Sequence, residues 1–228
     1  MNNPVTEPFG PITHESAPLR NKIMRSLRRA IETGVLEPGT RLVEKDLCQQ
    51  LNVSRTSLRE ALRQLQSEGI LTDFNNRGLA VVTVTTEDAE NIYRIRGVLE
   101  QLIVEQFIEN ASEAEVQALK AHFAQLREAY LHGNAEEIVA NKRDFYDRIC
   151  TGARNPIAFG VLSKLTVLTS PLRRRSVVRT QRRSQSIAEI EKIVSAIDKR
   201  DKAAAKAAAE EHVAHSARSA LHADEPAN

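Results

Sequence analysis

The chain has 228 residues, of which 41% are hydrophobic and 27% are charged, a composition typical of a globular protein large enough to bury a core. No apolar run reaches the roughly 18 residues that a membrane-spanning helix requires, and residues 1–16 lack the basic start and apolar centre of a secretion signal. Cys48 and Cys150 lie too far apart to suggest a disulfide framework or a zinc motif. We therefore expect a cytoplasmic protein with reduced thiols.

Charge is distributed unevenly along the chain. The net charge is +2, but residues 17–84 contain 11 Lys and Arg against 7 Asp and Glu, which makes this part +4 and the remainder −2. A basic N-terminal part is compatible with contact to nucleic acid phosphates, although many unrelated proteins also have a basic end.

The first 84 residues predict a flexible leader over residues 1–16, then three helices and a β-hairpin. Apolar residues repeat at helical spacing, Ser54 is a typical N-cap, and a Pro-Gly pair marks a turn after the first helix. The predicted elements are helices at 18–33, 44–51 and 55–68, strands at 70–74 and 79–84, and a turn at 75–78.

After residue 84 the pattern predicts helices only, so the fold class is mainly α. We expect a first domain at 17–84, which contains the three helices and the hairpin. An all-α bundle of six to seven helices follows at 85–222, with a flexible tail at 223–228. The helices are predicted at 86–109, 113–132, 135–151, 156–170, 182–199 and 201–221.

The helix that follows Ser54 has two distinct faces. One face carries four apolar residues, and the adjacent arc carries basic residues and a threonine near the N-terminus, an arrangement suited to the major groove of DNA. An ordinary amphipathic helix with a solvated basic face is the alternative. The order helix, turn, helix and hairpin, with Arg77 and Gly78 near the hairpin tip, favours a winged helix-turn-helix.

Residues 31–82 resemble the DNA-binding domain of the GntR family. Its Pro-Gly-x-x-Leu, Val-Ser-Arg-Thr, Leu-Arg-Glu-Ala-Leu and Glu-Gly-x-Leu elements occur here in order, with Cys48 and Ser57 replacing the usual alanine and proline. The resemblance implies DNA contacts by Lys45, Ser54, Arg55, Thr56 and Arg59, and by Arg77 and Gly78 in the wing.

The rest of the chain resembles the helical ligand domain of the FadR subfamily. Three segments carry the resemblance: IYRIRGVLEQLIVEQF, NKRDFYDRICTGARNP and EIEKIVSAIDKRDKAAAKAAAEEH. The resemblance implies a helical bundle around a polar cavity, and a homodimer. Arg96 is then a candidate to bind a carboxylate effector; the alternative is a local ion pair with Glu100, one turn later.

Many domains of this subfamily hold a metal ion with one Asp or Asn and three His. Here the matching positions are Lys142, Tyr146, Ile190 and His212, and a single imidazole is not enough to hold a divalent ion. We therefore predict that this metal site is lost and that no cofactor is used. We expect Lys142, Tyr146 and His212 to contact an anionic ligand, although His212 is equally compatible with a core or surface position.

Six arginines and no acids lie between residues 173 and 183. A solvated basic face, a cavity wall and a contact to DNA phosphates all remain open for this run, and arginines inside the cavity would indicate a strongly acidic effector.

These observations predict a dimeric, ligand-controlled repressor of a catabolic operon that binds a palindromic operator and a small carboxylate. A DNA-architectural protein without an effector is an alternative. An enzyme is disfavoured, because the sequence has no nucleophile elbow, phosphate-binding loop, dinucleotide motif or complete metal set.

Overall fold

A computed structural model describes residues 17–75, 77–177 and 179–221. The predicted leader at 1–16 and the predicted tail at 223–228 lie outside the described residues.

Three helices begin the described chain, and their predicted bounds are confirmed to within one residue. Helix α2 ends at Asn52, whose φ of 51° places it in the left-handed region that asparagine tolerates. Helix α3 begins after Ser54, whose side chain accepts a 3.2 Å hydrogen bond from the backbone N–H of Ser57. The helices are α1 (Ala17–Thr33), α2 (Glu44–Leu51) and α3 (Arg55–Ser67).

A small antiparallel sheet follows the three helices. The predicted hairpin is confirmed, with Leu71 opposite Val81, but its strands are shorter than expected. The sheet also contains a short strand that the sequence did not predict, and this strand pairs with the second hairpin strand, so that the second hairpin strand is central in the sheet. The strands are β1 (Arg41–Leu42), β2 (Leu71–Asp73) and β3 (Leu79–Val81).

Seven helices make up the C-terminal bundle in the described part of the chain, which confirms the predicted mainly α fold. The helices are α4 (Thr86–Asn110), α5 (Glu113–His132), α6 (Ala135–Gly152), α7 (Pro156–Leu168), α8 (Ser170–Val177), α9 (Thr180–Asp198) and α10 (Lys202–Leu221). Within the described residues, no helix combines the length and apolar character needed to cross a bilayer.

Helix α8 was missed from the sequence. The sequence predicts one helix at 156–170, but α7 ends at Leu168 with Thr169 as its C-cap, and a separate helix begins at Ser170. Pro171 falls in the first turn of α8, where a missing backbone N–H leaves no intrahelical bond unmade. A proline that looks like the end of one helix is therefore the start of the next.

Two large apolar cores hold the described part of the chain together, beside a small third cluster around Tyr93 and Val213. Leu58, Leu62 and Leu65 of α3 pack with α1 and the sheet in the N-terminal core, and Phe107 and Phe145 lie in the larger bundle core. The two parts are in contact, because α1 packs against α6, α7 and α8 and because Val167 of α7 joins the N-terminal core. This contact places α1 beside the bundle's interior.

Candidate functional site

The N-terminal end of α3 presents the predicted DNA-contacting side chains to solvent. Arg55, Thr56 and Arg59 are exposed, while Leu58 on the opposite face is fully buried. Ser54 is exposed but is engaged as the helix cap. The free amides at this helix end and the exposed guanidinium groups together form a surface suited to phosphates and base edges.

In the protein without DNA, Arg59 forms an ion pair with Glu44. Its Nε lies 2.9 Å from a carboxylate oxygen of Glu44, and both side chains are largely solvent-accessible. An exposed ion pair of this kind contributes less than about 1 kcal/mol, so DNA phosphates can replace Glu44 at low cost. The neighbouring Lys45 is exposed at the start of α2.

The hairpin tip carries the two predicted wing residues. Arg77 and Gly78 are both exposed, and Gly78 adopts a φ of 119°, which favours glycine. The backbone N–H of Arg77 donates to the carbonyl of Phe74 at 2.8 Å and closes the turn. The remaining turn residue, Asn76, lies outside the described residues.

A small charged cavity lies among α4, α6, α7 and α8, with the end of α1 against it. Its volume is about 30 Å³, enough for one or two water molecules. Apolar side chains such as Phe159 and Leu162 also line it. Its charged lining consists of Glu32, Arg96, Glu100, Lys142, Arg143, Asp147 and Arg173.

Arg96 forms the local ion pair with Glu100, and the same side chain also lines the cavity. Its Nε and Nη2 donate to one oxygen of Glu100 at 3.2 and 2.8 Å, and both side chains are buried. Burial, the largest single effect, raises the pKa of Glu100, but the combined effects of Arg96, His212 and Lys142 outweigh burial and lower that pKa. Arg96 Nη1 and Glu100 Oε2 remain buried without a hydrogen-bond partner among the described atoms.

Lys142 and Tyr146 line the cavity as expected, whereas His212 lies behind Lys142. Lys142 Nζ is 2.9 Å from His212 Nε2, and His212 Nδ1 is 2.7 Å from Glu189. His212 is fully buried and is absent from the cavity lining, so the structure places it differently from the expected direct ligand contact.

The surroundings of this buried lysine disfavour its charged form relative to a lysine in water. Burial, followed by repulsion from Arg173 and Arg182, lowers the pKa of Lys142 well below its ordinary value. Burial also raises the pKa of Tyr146 well above its ordinary value, so its hydroxyl stays protonated. That hydroxyl is buried and lies close enough to Glu100 for the carboxylate to contribute to the raised pKa, although the two do not form a hydrogen bond of good geometry.

The residues at the family's metal position do not fit a divalent cation. The ring nitrogen of His212 that could face an ion instead faces the Lys142 amine at 2.9 Å. Within the described residues, no group of three His, Cys, Asp or Glu side chains has a metal-binding arrangement. A lysine amine, a phenol and an aliphatic side chain beside one histidine do not make a set of ligands for a divalent cation.

The basic run between residues 173 and 183 divides into several environments. Arg173 lines the cavity, and no carboxylate of the described residues lies within ion-pair distance of it. Arg182 is buried in a bidentate pair with Glu189 at 2.8 and 2.9 Å. Arg174 reaches Glu37 in the N-terminal part, while Arg175 and Arg179 are exposed. Only part of the run is thus a solvated face.

Sequence reasoning missed Glu32, Arg143 and Glu189. Glu32 and Arg143 meet at 2.7 Å although they are 111 residues apart, and both line the cavity. No local signal indicates this contact, because Glu32 lies on a helix whose apolar stripe packs elsewhere. Glu189 could have been suspected, since it lies on the same segment as the arginines that need acidic partners.

The titration of His212 gives a testable pH dependence. Burial, followed by repulsion from Lys142, lowers the pKa of His212 to about 4. Because the unfolded chain takes up this proton more readily, the free energy of unfolding should fall by up to about 3 kcal/mol as the pH drops from 6.5 to 4. Urea unfolding at several pH values should show a shallower acid dependence in His212→Asn. The exposed-site variant His132→Asn should behave like the wild type, and a His212→Asn profile parallel to the wild type would contradict the assignment.

Family models match both parts of the chain. Residues 19–81 match the bacterial regulatory proteins of the gntR family, and residues 91–215 match the FCD domain. The protein belongs to the GntR family of bacterial regulators. This GntR-family protein thus joins a helix-turn-helix unit of a DNA-binding family to an FCD domain, and its relatives are transcription regulators rather than enzymes.

Individual relatives support the same conclusion. The regulator YdhC of Bacillus subtilis is 29% identical over 181 residues, covering 79% of this chain and 81% of the relative. McbR of Escherichia coli is 30% identical over 162 residues, covering 71% and 72%. The repressor RspR of Escherichia coli is 25% identical over 196 residues, covering 86% of each chain. The solved structure of E. coli McbR/YncC superposes with a TM-score of 0.80 at 25% identity, covering 89% of this chain and 95% of that one.

Proposed function

We propose that this protein is a homodimeric repressor of the FadR subfamily in the cytoplasm. It binds a palindromic operator of a catabolic operon, and a small carboxylic acid changes its affinity for that operator. The observation that carries the proposal is the combination, in one chain, of an exposed arginine-bearing recognition helix and a buried cavity rich in cations. Such a combination suits a protein in which binding of a metabolite changes the affinity for DNA.

DNA recognition is assigned to α3 and the wing. The capped N-terminus of α3 presents Arg55, Thr56 and Arg59 to solvent, as a helix in the major groove would require. Arg77 and Gly78 lie at the tip of the adjacent hairpin and would approach the flanking backbone. Lys45 and Ser54 would add contacts to phosphates.

The proposed dimer uses an apolar stripe on α4. Ile95, Val98 and Leu102 are exposed there, with Val98 at 69% of its full accessibility. Residues spaced in this way share one face of a helix, and a row of exposed aliphatic side chains favours contact with another surface. A two-fold arrangement of this stripe would pair two recognition helices with two operator half-sites.

Ligand binding is assigned to the cavity. Arg96 has an unpartnered Nη1 and Arg173 has no close carboxylate among the described residues, so both can accept an acid group. A bound carboxylate would also raise the pKa of Lys142, because a nearby negative charge favours the ammonium form.

A repressor mode is supported by the relative RspR, whose name describes it as a transcriptional repressor.

Selection from a pool of random duplexes tests the proposed function. The full-length protein should enrich an inverted repeat with half-sites about one helical turn apart, and each base change in a half-site should cost about 1–3 kcal/mol. If the protein bound the duplexes but no sequence became enriched, this would contradict an operator-specific repressor and favour an architectural protein.

A further inference from the structure

One acid in the cavity lining comes from the N-terminal part of the chain. Glu32 lies in the last turn of α1, and its side chain is only 7% exposed. Its carboxylate accepts a 2.7 Å hydrogen bond from Arg143 Nη1 on α6. The other acids of the lining, Glu100 and Asp147, belong to the bundle itself. The DNA-binding unit therefore places a carboxylate at the wall of the cavity.

Glu32 occupies a place where a ligand carboxylate would be stabilised. Arg143, Arg96 and Arg173 all line this cavity, and Arg96 is already paired with Glu100. Two carboxylates competing for one partly buried guanidinium would repel each other and lose solvation. Arg143 also lies 3.8 Å from Asp144 through its Nε, so an acid ligand that binds the Nη1 side of Arg143 must replace Glu32 there.

The size of the cavity leads to the same conclusion. A volume of about 30 Å³ admits water but not an organic acid. A neighbouring cavity that shares Lys142 and Arg173 adds only about 20 Å³. Binding therefore requires a wall to move.

The wall formed by α1 is the one most easily displaced. Beside the apolar contact of Val167 with the core that contains α1, two polar contacts link α1 to the bundle: Arg28 donates to Ser163 at 3.3 Å and Glu32 pairs with Arg143. By contrast, α6 and α7 are fixed by buried residues such as Phe145, Ile149 and Leu162. Moving an apolar-packed helix leaves voids, which cost several kcal/mol, whereas polar groups at a parted surface can be rehydrated.

We propose that Glu32 is an internal occupant of the ligand site, that a small dicarboxylate displaces it from Arg143, and that ligand binding and docking of α1 against the cavity are mutually exclusive. One carboxylate would pair with Arg143 and the second with Arg173, which lacks a close acid partner among the described residues. This inference rests on the proposed function, because it assumes that the cavity is the effector site. It adds the link by which occupancy reaches the DNA-binding unit.

The test measures binding of malonate, succinate, glutarate and citrate by calorimetry to the full-length protein and to Glu32→Gln. Glutamine keeps the size of Glu32 but removes its charge, so the best-binding acid of the panel should bind about 5- to 50-fold more tightly. Glu37→Gln is the matched control, because Glu37 also pairs an N-terminal carboxylate with a bundle arginine, Arg174, but lies outside the cavity lining. Its affinity for the acids should equal that of the wild type.

Operator binding provides the second readout. The operator affinity of Glu32→Gln should shift in the direction that the bound acid produces in the wild type, and the acid should change it little further. Equal acid affinities in the wild type, Glu32→Gln and Glu37→Gln would overturn the inference while leaving the effector site intact. Absence of binding to both the wild type and Glu32→Gln would overturn the effector site as well.

Discussion

Replacing Arg55 with alanine should weaken operator binding by about 5- to 150-fold at a fixed salt concentration, which corresponds to about 1–3 kcal/mol for an arginine that reads a base pair. Arg55 is exposed in the first turn of α3 and has no ion-pair partner among the described residues. Its guanidinium is therefore available to DNA without breaking an existing contact. Fluorescence anisotropy with the selected operator and a scrambled duplex measures the effect.

Two further variants of α3 sharpen this prediction. Arg59→Ala should weaken binding less than Arg55→Ala, because DNA must first release Arg59 from Glu44. Arg63→Ala is the control: Arg63 is exposed on the same helix but lies two turns beyond Arg55, and operator affinity should change by only a few-fold. If Arg55→Ala weakened binding to operator and scrambled duplex equally, Arg55 would be a phosphate contact without a role in specificity.

Removing the Glu189 carboxylate should cause the largest loss of folding stability. In Glu189→Ala the buried Arg182 loses both of its ion-pair hydrogen bonds, and His212 and His215 lose contacts of 2.7 Å. An uncompensated buried charge costs about 3–5 kcal/mol, so the melting temperature should fall by about 10 °C or more. Urea unfolding and calorimetry at pH 7.5 measure the change.

The control for this prediction lies on the same helix. Glu191 is exposed on α9, and Glu191→Ala should change the free energy of unfolding by less than about 0.5 kcal/mol. A Glu189→Ala protein within 1 kcal/mol of the wild type would show that Arg182 finds solvent or another partner. It would also weaken the view that Glu189 positions His212 behind Lys142.

The charged cavity shows why individual site residues are hard to assign from sequence. The helical spacing of Arg96 and Glu100 predicted their pairing, and the resemblance to the FadR subfamily pointed to the cavity; the structure has both at once. For His212 the family position alone suggested ligand contact, whereas the lysine that replaces an acid at 142 now covers its ring nitrogen. The residue at one position therefore determines what a residue 70 positions away contacts.

The sequence alone determined the elements whose signals are local. The bounds of α3 follow from the Ser54 cap and the apolar stripe, and those of α5 from the capping box of Ser112 and Glu115, because caps and helical periodicity act within four residues. Strand β1 is visible only in the folded protein, because it exists through its pairing with β3. The start of a new helix at Ser170 was likewise not apparent from the sequence. The tertiary structure alone brought Glu32 to Arg143, since burial and charge pairing between distant helices depend on how those helices pack and leave no periodic trace in either segment.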